Sequence, residues 1–320
     1  MYNFMQNTDG GGFVDFLYML EKIRVPGLNE FMLAVTTMGE ETAFLVIALI
    51  LFWCVDKYVG YYTLSVGFVG TIANQFMKLL FRSPRPWVLD PDFTILEQAR
   101  EAATGYSFPS GHTQSAFGTF GSIAYVSKKK WLRIAAIVIP VLVGFSRMYI
   151  GVHTPLDVFV SIAIALLLIV VINPFVLGKN QKSLAYLIGI MVLIGCIFIA
   201  YLLFYSFPAD IDSHNLESGY KNAYTLIGSL AGLLVVYIVD EKWLNFPTKA
   251  PLGAQFIKVI LGFGLVLAVK SGLKDPLNAL LGEGLGRSVR YCLIVISAGI
   301  IWPLSFRFFN REKENGNEKS

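Results

Sequence analysis

Three short stretches concentrate side chains that bind anions or move protons. Lys78-Leu-Leu-Phe-Arg-Ser-Pro-Arg85-Pro86 places a lysine near the end of an apolar run and an arginine just past it. A point charge and a planar guanidinium fork can then converge on one anion. Pro109-Ser110-Gly111-His112 stands directly before another apolar run. A serine hydroxyl and the free N–H groups of a helix start make an anion cradle there, and Gly111 permits close approach. Ser146-Arg147-Met-Tyr-Ile-Gly-Val-His153-Thr-Pro-Leu-Asp157 joins the end of one apolar run to the start of the next. His153 and Asp157 are four residues apart, so on a helix beginning near Pro155 the carboxylate approaches the imidazole. Each patch sits at the end of an apolar run, where charge is expensive unless it is used.

Taken together, the three stretches resemble the signature of the type 2 phosphatidic acid phosphatase family. Lys78 is followed after six residues by Arg85-Pro86, then comes Pro109-Ser110-Gly111-His112, then Ser146-Arg147, His153 and Asp157, and no signature position departs from the pattern. Three ordered motifs with internal spacing are far more specific than any one alone. The resemblance covers roughly Thr42 to Leu177 and implies a lipid phosphatase with His153 as nucleophile. Candidate substrates on that basis are phosphatidic acid, phosphatidylglycerol phosphate, undecaprenyl diphosphate and sphingoid-base phosphates.

The same residues support that chemistry without the family. A phosphate group in in-line displacement needs its charge spread over three oxygens, and Lys78, Arg85, Ser110, the Gly111 amide and Arg147 are the expected phosphate-binding donors. No metal and no cofactor is then required. His153 as nucleophile needs a neutral nitrogen facing phosphorus, and Asp157 on the other nitrogen would fix that tautomer and stabilise a phosphohistidine. His112 has no carboxylate at helical spacing and is left to protonate the leaving oxygen and then to activate water.

The elements that must position these groups are membrane helices. In 320 residues the chain is 55% hydrophobic and 15% charged, which excludes an ordinary soluble domain. Apolar runs near Thr42–Val55, Tyr58–Phe81, Ser110–Val126, Trp131–Gly151, Pro155–Leu177, Leu184–Phe207, Tyr224–Val239, Leu252–Leu273 and Ser288–Phe309 give nine expected spans in an all-α, polytopic bundle. The division expected is interfacial helices over 1–40, a phosphatase core over 41–178, a four-helix membrane region over 179–310 and a cytoplasmic tail over 311–320. The last four spans carry no signature residue and resemble those of the longer, nine-span members of the superfamily. Cys54, Cys196 and Cys292 all lie in apolar stretches and form no disulfide or metal framework.

Lys128, Lys129, Lys130 and Arg133 form the densest short basic cluster, which the positive-inside rule assigns to the cytoplasm. With nine spans this leaves Arg82 to Pro109 and the turn around His153 on the extracytoplasmic face, in a setting compatible with a bacterial inner membrane. The lysine run is topological, and nothing around it suggests nucleic acid. Arg82 reads as an interfacial or headgroup contact. Asp210 to Glu217 reads as a solvated loop rather than a metal site, and Gly282-Glu-Gly-Leu-Gly286 as a flexible turn rather than a nucleotide loop. Besides lipid phosphate hydrolysis in the bilayer, a lipid phosphotransferase, a phosphatase of a soluble ester and a non-catalytic lipid transporter are the competing functions. Intact His112, His153 and Asp157 argue against the last.

Overall fold

The computed structural model describes residues 12–178, 180–209 and 211–309, and every regular element among them is helical. In chain order these are α1 Gly12–Lys22, α2 Pro26–Thr37, α3 Glu41–Ile50, α4 Lys57–Phe81, α5 Pro86–Leu89, α6 Gly111–Val126, α7 Lys130–Tyr149, α8 Pro155–Val176, α9 Gln181–Phe204, α10 Ser213–Val239, α11 Leu252–Gly272, α12 Lys274–Ile296 and α13 Phe306–Phe309. The tail expected over 311–320 lies outside the described residues.

Seven segments among the described residues are long and apolar enough to cross a bilayer: Lys57–Leu89, Lys130–Tyr149, Pro155–Val176, Lys182–Phe204, Ser213–Leu244, Leu252–Gly272 and Lys274–Phe309. Their outward faces are apolar. On α8, Phe159, Leu167 and Val170 are each at least 60% exposed, a pattern that suits lipid and not water. The chain is an integral membrane protein.

Of the nine expected runs, two fall outside these seven by length or by a bend. α6 has 16 residues, about 24 Å at 1.5 Å per residue, because the Ser110 cap starts it and the chain turns extended at Ser127. Its buried positions include Thr113, Gln114, Thr119 and Ser122, so it is a short, polar-faced interior helix. The run from Thr42 to Val55 forms a bent pair with α2, broken by 53° between Thr37 and Glu41, which makes an eighth candidate span if the pair is one. α2, expected as purely interfacial, is therefore half of that pair.

Two further expectations change. Ser213 to Glu217 is the first turn of α10 and not loop. Of the turn expected over Gly282 to Gly286, only Gly282 leaves the helical region, at φ of 78° and ψ of 169°, where it breaks Lys274–Ile296 into two helical stretches; Glu283 to Gly286 belong to the second.

The chain forms two compact units. One takes in the described residues up to Val46, then Val66–Ile172 and Ser206–Gly219. Its helix ends are set locally. Ser110 Oγ caps α6 by accepting from the Thr113 N–H. Thr154-Pro-Leu-Asp157 is a reciprocal capping box for α8: the Asp157 N–H donates to Thr154 Oγ1 at 3.3 Å and the Thr154 N–H to Asp157 Oδ2 at 2.8 Å. α6 leads away from Ser110 and α7 packs against it on the way back, so Lys128–Lys130 and His153 lie at opposite ends of the pair. α1 joins this unit through Leu17 and Leu20, which pack with Phe93, Ile95, Met148 and Val158.

The other unit comprises Ile47–Ser65, Asn173–Tyr205 and the chain from Tyr220 on. π-helical turns at Leu51–Val55, Asp240–Leu244 and Ser297–Ile301 interrupt its helices. The Trp53 indole donates to Ala298 O at 2.8 Å, Lys57 pairs with buried Asp240 at 3.0 Å, and the fully buried Lys258 ammonium stands 4.3 Å above the Phe306 ring.

Candidate active site

All eight sequence-predicted site residues fall in the first unit, where the end of α4, the start of α6, the end of α7 and the start of α8 meet. His153 follows a tight turn in which the Gly151 N–H donates to Met148 O and the Val152 N–H to Arg147 O. Gly151 has φ of 88°, a backbone state that side-chain-bearing residues rarely adopt. A Cβ there would also meet Arg24 Nη2 at 2.9 Å and Phe93 at 3.0 Å.

The ring of His153 is held on both sides. Nδ1 stands 3.3 Å from Asp157 Oδ2, and Nε2 stands 3.0 Å from Arg85 Nη1. A guanidinium only donates, so Nε2 carries the lone pair and Nδ1 the proton. His153 is 1% exposed, and its pKa is pushed well below the ordinary histidine value. Burial is the largest cause, followed by the positive charges of Arg85, Arg147, Lys78 and His112. The imidazole is neutral at physiological pH.

Arg85 uses four of its five N–H groups. Besides His153, it donates from Nη1 to Val152 O at 2.9 Å, from Nη2 to Thr104 O at 2.8 Å and from Nε to Gly105 O at 3.2 Å. The Lys78 ammonium donates to Tyr106 O. Arg147, 1% exposed, donates from Nη1 to the Thr36 hydroxyl at 2.7 Å, and its Nε has no partner. His112 presents a buried Nε2 that is likewise unpartnered. Unpaired buried nitrogens are costly, and here both belong to the site that gathers Lys78, Arg85 and Arg147. Ser110 Oγ accepts from the Thr113 hydroxyl at 2.9 Å, which keeps its own proton free to donate. Gly111 lies against the Asn74 amide: a Cβ at Gly111 would stand 3.7 Å from Asn74 Oδ1.

Several residues at the site carried no signal in the motifs. Ser107 donates to Asp157 Oδ2 at 2.6 Å, although 50 residues separate the two in the chain. Asn74 lies one helical turn before Lys78 and donates to Pro109 O at 3.2 Å. Thr36 comes from α2, and Gly39, just after it, packs so closely that a Cβ would meet His112 O at 2.7 Å. Only Ser107 and Asn74 could have been suspected, from their nearness to the first two motifs. The cleft beside Arg85, about 1110 Å³, is lined by Arg82, Trp87, Arg100, Tyr106 and, from the start of α10, His214. Arg82 reaches it from a left-handed backbone at φ of 50°. Among the described residues no cluster of His, Cys, Asp or Glu could hold a metal ion.

Two family models match the chain: the PAP2 superfamily over residues 57–181 and the PAP2 superfamily phosphatase transmembrane extension over residues 224–314. Phosphatidylglycerophosphatase B of Bacillus subtilis is 34% identical over 166 residues, 48% of this chain and 77% of that protein. An undecaprenyl-diphosphatase of Sulfolobus acidocaldarius is 31% identical over 147 residues, 45% of this chain and 69% of that protein. Sphingosine-1-phosphate phosphatase 1 of Rattus norvegicus is 24% identical over 259 residues, 75% of this chain and 58% of that protein. No solved structure matches the chain significantly. With both family models in their expected order and a relative matched over three-quarters of its length, the chain belongs to the PAP2 superfamily of membrane phosphatases.

Proposed function

We propose that this protein hydrolyses a lipid phosphate or diphosphate through a phosphohistidine on His153, without a metal. The observation that carries the reading is the ring of His153: neutral, buried, with Asp157 on Nδ1 and its Nε2 lone pair held toward the Arg85 guanidinium. Relatives whose names specify phosphatidylglycerol phosphate, undecaprenyl diphosphate and sphingosine 1-phosphate support a lipid substrate. So does the cleft, whose lining includes the exposed apolar side chains of Leu80 and Val88 next to Arg85.

Phosphate oxygens take the place of the carbonyl and imidazole acceptors on Arg85 and Lys78 and meet Arg147, the Ser110 hydroxyl and the Gly111 N–H. Nε2 attacks phosphorus in line as the bond from phosphorus to the leaving oxygen breaks, and His112 gives that oxygen its proton. Asp157 holds the Nδ1 proton of the now positive ring. His112 then takes a proton from water, the water oxygen attacks phosphorus, and the P–N bond electrons return to Nε2. The site faces the extracytoplasmic side in this reading, which is supported by the basic Lys128–Lys130 turn at the far end of α6 and α7.

The test is phosphate release by the purified full-length protein across a panel of lipid phosphates and diphosphates. His153→Ala is expected to reduce the rate at least about 10³-fold on the best substrate, with excess chelator leaving the wild type unchanged. Equal release by wild type and His153→Ala on every substrate would sink the mechanism, and loss of activity in chelator restored by divalent cations would sink its metal-free form.

A further inference from the structure

Asp157 Oδ2 is a shared acceptor. The Ser107 hydroxyl reaches it at 2.6 Å, the Thr154 N–H at 2.8 Å and His153 Nδ1 at 3.3 Å. The Ser107 bond is the shortest of the three, and its oxygen also lies 3.5 Å from His153 Nδ1, a longer contact than the carboxylate makes with that nitrogen. Ser107, His153 and Asp157 are 0%, 1% and 2% exposed, so bulk water does not compete and the carboxylate depends on these donors.

Ser107 is itself anchored. Its N–H donates to Ser83 O at 2.8 Å, in the turn between Lys78 and Arg85. The residues before it hold the cations: Thr104 O and Gly105 O accept from Arg85, and Tyr106 O accepts from Lys78. Gly105, at φ of 70°, lets the strip turn so that successive carbonyls face those two side chains. The strip from Thr104 to Ser107 therefore touches the cations through its carbonyls and the acid through one hydroxyl.

We propose that Ser107 is a positioning residue for His153: its hydroxyl pins Asp157 Oδ2 at the point where that oxygen meets Nδ1. The inference rests on the reading of His153 as nucleophile and Asp157 as its orienting acid. Without the hydroxyl, the carboxylate turns toward its remaining firm donor, the Thr154 N–H of the capping box, and the ring loses its fixed orientation. Ser107 does not touch the phosphate site, so the effect falls on the chemical step and not on substrate binding.

A double-mutant cycle on phosphate release tests this, with Ser107→Ala, Asp157→Asn and the combined variant in the full-length purified protein. Ser107→Ala is expected to lower kcat about tenfold, the worth of one hydrogen bond to a charged group, with KM within about twofold of wild type. On the Asp157→Asn background the same change is expected to alter kcat less than about twofold, because the hydroxyl has lost its charged acceptor. If Ser107→Ala does not accumulate, Ser107→Cys, nearly isosteric and a weak donor, takes its place in the cycle. A wild-type kcat in Ser107→Ala, a loss confined to KM, or a tenfold loss that persists beside Asp157→Asn would each overturn the inference. An inactive His153→Ala beside a fully active Ser107→Ala would remove this inference alone, whereas an active His153→Ala would remove the reading beneath it.

Discussion

Arg147 shows how much a single side chain depends on its neighbours. Its guanidinium is buried at the end of α7, the Thr36 hydroxyl accepts from Nη1 at 2.7 Å, and Nε is left without a partner. A planar fork binds phosphate well only if its plane is set beforehand. Thr36→Val keeps the shape of the side chain and removes the acceptor. It is expected to lower kcat/KM for phosphate release about 10- to 100-fold while the protein stays folded, since a hydrogen bond to a charged group is worth about 1.5–3 kcal/mol. Unchanged kinetics in Thr36→Val would show that Arg147 needs no such setting. The arginine was legible from the Ser146-Arg147 motif, but Thr36 was not, because a partner 111 residues away leaves no trace in local spacing.

At the scale of elements, the turn from Ile150 to Thr154 converts the end of α7 into the start of α8 and carries His153 between them. Two constraints meet at Gly151: φ of 88°, and contacts of 2.9–3.1 Å that a Cβ would make with Arg24, Phe93 and Ile95. Arg24 belongs to the chain just after α1 and donates to Tyr149 O at 2.9 Å, so the N-terminal helices brace this turn. Gly151→Ala combines backbone strain with overpacking and is expected to destabilise the protein by about 2–4 kcal/mol. Thermal unfolding in detergent would register it as a lowered Tm, and a Tm equal to wild type would contradict the packing described. The start of α8 was readable in advance, since Thr154-Pro-Leu-Asp157 is a capping box and Pro155 suits a first turn. The brace from α1 and α2 was not, because those helices read as interfacial and their contacts to the turn are tertiary.

At the scale of the whole molecule, the basic Lys128–Lys130 turn and the candidate site occupy opposite ends of α6 and α7, which predicts opposite sides of the membrane for the two. In a background lacking Cys54, Cys196 and Cys292, Lys129→Cys and Glu101→Cys are expected to react with an impermeant thiol reagent from opposite faces of sealed vesicles; both residues are exposed and lie outside the spans. Labelling of both from one face would refute that arrangement. Membrane embedding and the three motifs were legible in the sequence, because hydrophobic length and motif spacing are local properties of the chain. The bounds of the helices were not: α6 is only 16 residues long between its caps, and whether α2 and α3 act as one bent element depends on packing. Sequence alone determined which titratable and cationic residues exist and that His153 stands four residues from Asp157. Tertiary structure alone decided that Arg85 faces Nε2, that the Thr104–Ser107 strip grips Lys78, Arg85 and Asp157, and that Thr36 meets Arg147. The physical reason is that a buried charge is held by whichever donors and acceptors the fold brings within about 3 Å, and those come from any distance along the chain.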